Sequence, residues 1–251
     1  MRLTDILRRL WDMLMALLKS KGAIDSNAGD GYVTVTYTAK AEKRYKGRVS
    51  GGNESVTFDV LGTGTVFPLS QGNGEYTVTL YEELWKSRYR KIAEARFDAS
   101  IDPEYKPYLH PNVYVSYTEE SECAALAARL CEGAADEAEK FRAIYSWITG
   151  NISYDEELAA DIESGAVTRW IPDPDAILEA GKSICMGSAS LFAAMCRSQG
   201  IPAQVVTGSV RLGGEDKSHA WNEAYICGSW VRADAFLSTT DNTEYIALYR
   251  W

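Results

Sequence analysis

Three side chains in the last third of the chain have the types and spacing for nucleophilic chemistry. Cys185 sits in Gly181-Lys182-Ser183-Ile184-Cys185-Met186-Gly187-Ser188-Ala189, at the start of a helix expected over 185–198. Amides at a helix start lack partners and the dipole there is positive, which favours the thiolate, the nucleophilic form of cysteine. His219 follows in Ser218-His219-Ala220-Trp221-Asn222-Glu223, and it is one of only two histidines. An imidazole beside a thiol can take its proton or pair with the thiolate as imidazolium. Asp234 lies in Trp230-Val231-Arg232-Ala233-Asp234-Ala235. The last two segments read as a hairpin around Cys227-Gly228-Ser229, which brings His219 and Asp234 to the same end within a few residues' offset. A carboxylate so placed fixes the imidazole tautomer and stabilises its protonated form. Nucleophile, base and orienting acid therefore occur in the order Cys, His, Asp.

Each piece has a plainer reading. A lone cysteine at a helix start is more often a small buried hydrophobe, and a lone strand histidine leans structural. Gly187, Ser188 and Ala189 are small enough for other backbone to approach the thiol; Trp221 either walls a cleft or fills the core. His110, between Leu109 and Pro111, reads as structural, and Asp173 and Asp175 beside Pro174 as helix caps rather than an acid–base pair. Cys196, eleven residues beyond Cys185 on the same helix, reads as core. Cys123, Cys131 and Cys227 could pair, but nothing requires it. Without a Cys-x-x-Cys pair, and with one histidine needed elsewhere, no zinc site and no cofactor are expected.

The elements that must position these groups follow from periodicity. Asp136 with Glu139 forms a capping box ahead of Phe141, Ile144, Tyr145, Trp147 and Ile148, a helix stopping near Gly150 whose Tyr and Trp read as core. A short helix covers 175–180. Strands are expected over 203–208, 220–226, 230–235 and 244–249. Upstream, 32–37, 76–81 and 90–97 alternate with period two between Gly-rich turns and are rich in Thr, Val and Tyr, as in a β-sandwich. At the N-terminus Leu3, Leu7, Leu10, Leu14 and Leu17 form the stripe of an amphipathic helix. Asp5, Arg8, Arg9 and Asp12 interrupt it, unlike a secretory signal. Its expected place is packed on the protein, with docking on a membrane surface or partner the alternative.

The 251 residues are 46% hydrophobic and 24% charged, with a formal net charge of −9, as in a folded chain with a sizeable core. So acidic a chain is a poor fit to nucleic acid, and no apolar run is long enough to span a membrane. Five cysteines, an odd and low count, argue against a disulfide framework. Without a recognisable signal the chain as given reads as cytoplasmic, an exported or cell-surface location being the alternative if a signal was trimmed.

Taken in order, the Cys185 segment, Gly200-Ile201-Pro202-Ala203, His219-Ala220-Trp221-Asn222 and Trp230-Val231-Arg232-Ala233-Asp234 resemble the core of the transglutaminase-like superfamily, over roughly residues 120–234. Val66-Phe67-Pro68-Leu69, Gly72-Asn73-Gly74-Glu75-Tyr76 and Pro111-Asn112-Val113-Tyr114-Val115 resemble a bacterial subgroup of it. The resemblance implies an α+β fold, a papain-like core of helices on an antiparallel sheet preceded by a β-sandwich-like domain. Expected boundaries are 1–25 for the N-terminal helix, 30–118 for the β-sandwich and 119–251 for the core. It implies Cys185 as nucleophile, His219 as base and Asp234 as orienting acid, with Trp221, Gly187 and Ser188 at the substrate cleft. The expected activity is attack on a peptide or carboxamide carbonyl through a thioester, hydrolysis favoured over transamidation, with a protein or peptide as partner. The alternative is a non-catalytic module binding peptides or glycans on the same fold.

Overall fold

The computed structural model describes residues 24–251 except 38–39, 41–42, 86–87 and 238–243, so the N-terminal helix expected over 1–25 lies almost entirely outside the described residues. The chain divides into two compact units, 1–107 and 108–251.

The first unit is β-rich. Strands β1 (Ile24–Asn27), β2 (Tyr32–Val35) and β5 (Thr65–Pro68) form one antiparallel sheet. Strands β3 (Tyr45–Gly51), β4 (Glu54–Asp59), β6 (Gly74–Trp85) and β7 (Arg88–Ala99) form a second, ordered β4-β3-β6-β7. The alternation read along 76–81 buries Tyr76, Val78 and Leu80 on one face. Phe58 of β4 stacks on Phe67 of β5 at 4.8 Å between ring centres, joining the two sheets through their apolar faces.

The second unit packs five helices and a sheet: α1 (Glu122–Leu130), α2 (Glu137–Asn151), α3 (Glu156–Glu163), α4 (Pro174–Ala180) and α5 (Cys185–Ser198). Its antiparallel sheet runs in the order β12-β11-β10-β13, from β10 (Ala203–Leu212), β11 (Glu215–Ile226), β12 (Ser229–Ala233) and β13 (Tyr245–Arg250). A short parallel pair, β8 (Ser153–Tyr154) and β9 (Lys182–Ser183), precedes α5. Helix α5 is buried continuously from Gly187 to Arg197. An apolar surface all round is what a helix needs when other elements enclose it, here β10 and β11 with α1, α2 and α4.

Local capping explains where the helices begin. Asp136 accepts the Glu139 amide at 2.8 Å, while the Glu139 carboxylate reaches back to the Ala135 amide. Asp173 accepts the amides of Asp175 and Ala176, and Asp175 accepts those of Glu122 and Cys123 at the start of α1. Both aspartates are thus helix caps, one of them across more than fifty residues of chain. At the far end of α5, the buried Arg197 donates to the backbone carbonyls of Ala203 (2.8 Å), His110 (2.6 Å) and Trp251 (2.7 Å), tying helix to sheet. His110 enters this clamp through its backbone.

Candidate active site

Strand β9 runs directly into α5, so Cys185 is the first residue of the helix. The Asp155 amide donates to the Ser183 carbonyl at 3.0 Å, which fixes the approach to that turn. The N-cap is Ile184, whose side chain has no acceptor for the helix's first amides. At Gly187 a side chain would collide with the Trp170 ring, 2.7 Å from the Cβ position, and with the Ser183 hydroxyl; only glycine allows α5 to sit this close to them.

His219 comes from β11. One turn beyond Cys185, the Ala189 carbonyl accepts from Asn222 Nδ2 at 2.9 Å, so a buried amide ties the histidine strand to the cysteine helix. Asp234 follows β12. The turn between β11 and β12 has Cys227 at φ 49° and Gly228 at φ 86°, both left-handed, as a two-residue hairpin loop requires. That turn pairs Asn222 with Ala233, and one further step along the register brings Asp234 opposite Trp221, two residues from His219 on the same face.

The result is a hydrogen-bonded array. His219 Nε2 donates to Asp234 Oδ2 at 2.6 Å, and Cys185 lies near enough to the ring to help raise its pKa. The Asp234 side chain is 1% exposed and that of His219 9%, whereas Cys185 is half-buried. The buried carboxylate is fully supplied with donors. Oδ1 accepts the Phe236 and Leu237 amides, both at 3.0 Å, and Oδ2 accepts the Tyr245 hydroxyl at 2.9 Å beside the imidazole. Burial alone would raise its pKa, but the His219 hydrogen bond and charge, with the two amides, hold it below the ordinary carboxylate value. Burial opposes charge on His219 too, yet the hydrogen bonds and charges of Asp234 and Cys185 prevail, and its pKa is pushed up to about 9. A ring held protonated beside a thiol is equipped to pair with a thiolate and to hand a proton to a leaving amine.

The structure brings Cys185, His219 and Asp234 together. It does not put the three expected cleft residues at the surface. Trp221 is 2% exposed and lies under the His219 ring, with centroids 6.2 Å apart, while Gly187 and Ser188 are buried within α5. Trp221 is therefore core, and the small residues serve helix packing. Cys196 is buried in the core. All five cysteines are free, so Cys123, Cys131 and Cys227 form no disulfides. Among the described residues no cluster of ligands could hold a metal ion.

Four contributors carried no usable sequence signal. Tyr245 is one of fifteen tyrosines and reaches Asp234 only through sheet pairing. Tyr145, read as core, donates its hydroxyl to the Asp234 backbone carbonyl at 2.9 Å. Asn222 was visible within its motif but not as a brace. Tyr154 is an exposed aromatic whose phenol is raised by partial burial and then by the charge of nearby Cys185, and it stands edge-on to Phe236 at 5.2 Å.

Helices packed on an antiparallel sheet, with cysteine at the start of the central helix and a histidine–aspartate pair on the strands facing it, define a papain-like core. Residues 124–235 match the family model of the transglutaminase-like superfamily. Kyphoscoliosis peptidase of Mus musculus is 32% identical over 136 residues, covering 49% of this chain. The chain spans about one fifth of the length of the curated mouse and human relatives it matches. Among solved structures, a candidate cysteine protease from Cytophaga hutchinsonii superposes over 86% of this chain and 74% of its own, at 18% identity and a TM-score of 0.49. The periplasmic domain of TgpA from Pseudomonas aeruginosa covers 78% of this chain and 88% of its own, at 16% identity and a TM-score of 0.41.

Proposed function

We propose that the C-terminal unit is a cysteine hydrolase that cleaves a peptide or carboxamide bond in a protein or peptide substrate. The reading rests on one observation, the His219–Asp234 pair at 2.6 Å with Cys185 near the imidazole and the ring's pKa raised. In the reaction, Cys185 Sγ attacks the carbonyl carbon and a tetrahedral oxyanion forms near the start of α5. The Cys185 backbone N–H, at a helix start without a side-chain cap, is the donor for that oxyanion; such a donor is typically worth ~10²–10³ in rate. His219 Nδ1–H protonates the departing nitrogen, the C–N bond breaks and a thioester remains. Water then attacks the thioester as His219 takes its proton, the C–S bond breaks, and the acid is released with the thiolate restored. Asp234 stays ionised and keeps Nε2 as the ring's other donor. Hydrolysis rather than transamidation is favoured because the relative that is 32% identical is a peptidase.

Iodoacetamide labelling of the native protein at pH 6, with peptide mapping, tests this directly. The buried thiols are poor competitors: burial, then Asp175, pushes Cys123 up to about 12, and burial raises Cys131 and Cys196. Exposed Cys227 is the internal reference. Rapid labelling at Cys185, lost in His219→Ala, is the expected result. If Cys185 labels no faster than Cys227, the hydrolase reading fails and the unit is a papain-like scaffold that binds peptides or glycans.

A further inference from the structure

Asp234 Oδ2 is shared. His219 Nε2 reaches it from β11 at 2.6 Å and the Tyr245 hydroxyl reaches it from β13 at 2.9 Å. The Tyr245 ring is held from several sides. It packs against Trp221 with centroids 4.9 Å apart and lies 6.4 Å from the His219 ring, and the Arg232 guanidinium covers it at 4.1 Å. Burial, followed by the Asp234 charge, drives its phenol well above the ordinary range, so the hydroxyl stays a donor at every pH at which the site could work. The other charged or titratable groups facing the pair are Cys185 from α5, Arg232 from β12 and Tyr145 from α2, whose hydroxyl engages only the Asp234 backbone carbonyl.

We propose that Tyr245 is a fourth member of the site, a positioning residue whose hydroxyl holds Asp234 Oδ2 in line with His219 Nε2 and draws off part of that oxygen's negative charge. A carboxylate oxygen accepting two hydrogen bonds offers less of its charge to each donor. With three other donors still anchoring Asp234, losing the hydroxyl leaves the geometry in place and gives the imidazole the whole of Oδ2. The proposal rests on the Cys185–His219–Asp234 reading, but its primary readout does not require a reactive thiol.

The experiment is a ring-proton NMR titration of His219 in the wild-type chain and in Tyr245→Phe, with His110→Gln used to assign the two histidines. Tyr245→Phe keeps the ring that packs on Trp221, and a thermal melt checks the fold. The His219 pKa is expected to rise by roughly half to one pH unit, a three- to tenfold gain in proton affinity. Tyr145→Phe, which removes a hydroxyl bound only to backbone, should leave it unchanged. An unchanged or lowered His219 pKa in Tyr245→Phe, or an equal rise in Tyr145→Phe, overturns the proposal. Labelling with iodoacetate, whose negative charge makes it sensitive to the imidazolium, should show its alkaline limb moving upward by the same amount. If Cys185 is unreactive in both proteins while the ring still shifts, the hydrolase reading fails and the Tyr245 coupling stands.

Discussion

Replacing Asp234 by Asn changes almost no volume and should disable the histidine. The Asn oxygen can still accept the Phe236 and Leu237 amides, as Oδ1 does now. Its amide NH₂ then occupies the place where Oδ2 meets His219 Nε2 and the Tyr245 hydroxyl. Donor would face donor, so the ring must present Nε2 as an acceptor and carry its proton on Nδ1, toward Cys185. In that tautomer it cannot take the thiol's proton. The charge effect is as large. His219 stands at about 9 because Asp234 and Cys185 outweigh burial. Without the carboxylate only Cys185 opposes burial, and the pKa falls toward the ordinary value of about 6.5, a change of up to about 3 kcal/mol in favour of the neutral ring. At pH 8 the protonated fraction then drops from about nine-tenths to about 3%, roughly thirtyfold. NMR titration of the ring and the Cys185 labelling rate at pH 8 read the two consequences separately. Stability carries the same sign: a raised histidine pKa stabilises the fold fully below about pH 6.5 and ceases to do so as pH rises through about 9. Urea midpoints should fall across that window in the wild-type chain and fall less in Asp234→Asn. A His219 pKa within one unit of wild type in Asp234→Asn would refute the reasoning, because burial would then not be what the carboxylate overcomes.

Three other substitutions test the frame around the site. Arg197→Met strips the donors from three backbone carbonyls, those of Ala203 and Trp251 in buried hydrogen bonds, at the end of α5 and should cost about 3–5 kcal/mol in urea unfolding; a loss below about 1 kcal/mol would show that the clamp does not hold helix to sheet. Gly208→Ala places a Cβ 2.0 Å from the Ile246 carbonyl, where β13 bulges against β10, so it should destabilise by about 1–3 kcal/mol and also perturb the His219 ring signal through Tyr245. A wild-type melt and an unshifted ring would contradict it. Cys227→Asn puts a residue that tolerates positive φ into the hairpin turn and should raise stability by about 0.5–1 kcal/mol, with Cys185 labelling unchanged. A lower melting temperature would mean that the turn is not strained.

The parts of the site that could be read from sequence are those fixed by local rules. A helix start identifies Cys185, and a two-residue turn sets the offset between His219 and Asp234, so neither depends on knowing the rest of the fold. The β10–β11 hairpin shows the same rule obscured. Its strands extend to Leu212 and from Glu215, beyond the 203–208 and 220–226 expected, because Arg211 and Asp216 hide the apolar alternation while pairing across a Gly213-Gly214 turn at 2.8 Å. What could not be read depends on distant pairing. Tyr245 meets Asp234 because β13 aligns it with Val210 across a bulge at Thr207 and Gly208, and no local pattern specifies that register. Asp175 likewise caps a helix that begins more than fifty residues earlier. The division has a chemical counterpart. Local rules put Cys185 at a helix start and pair His219 with Asp234, whereas long-range contacts tie that helix to the histidine strand through Asn222 and brace Asp234 through Tyr245 and Tyr145. Sequence changes on β13 should therefore tune the proton affinity of His219 while leaving the Cys, His and Asp motifs untouched.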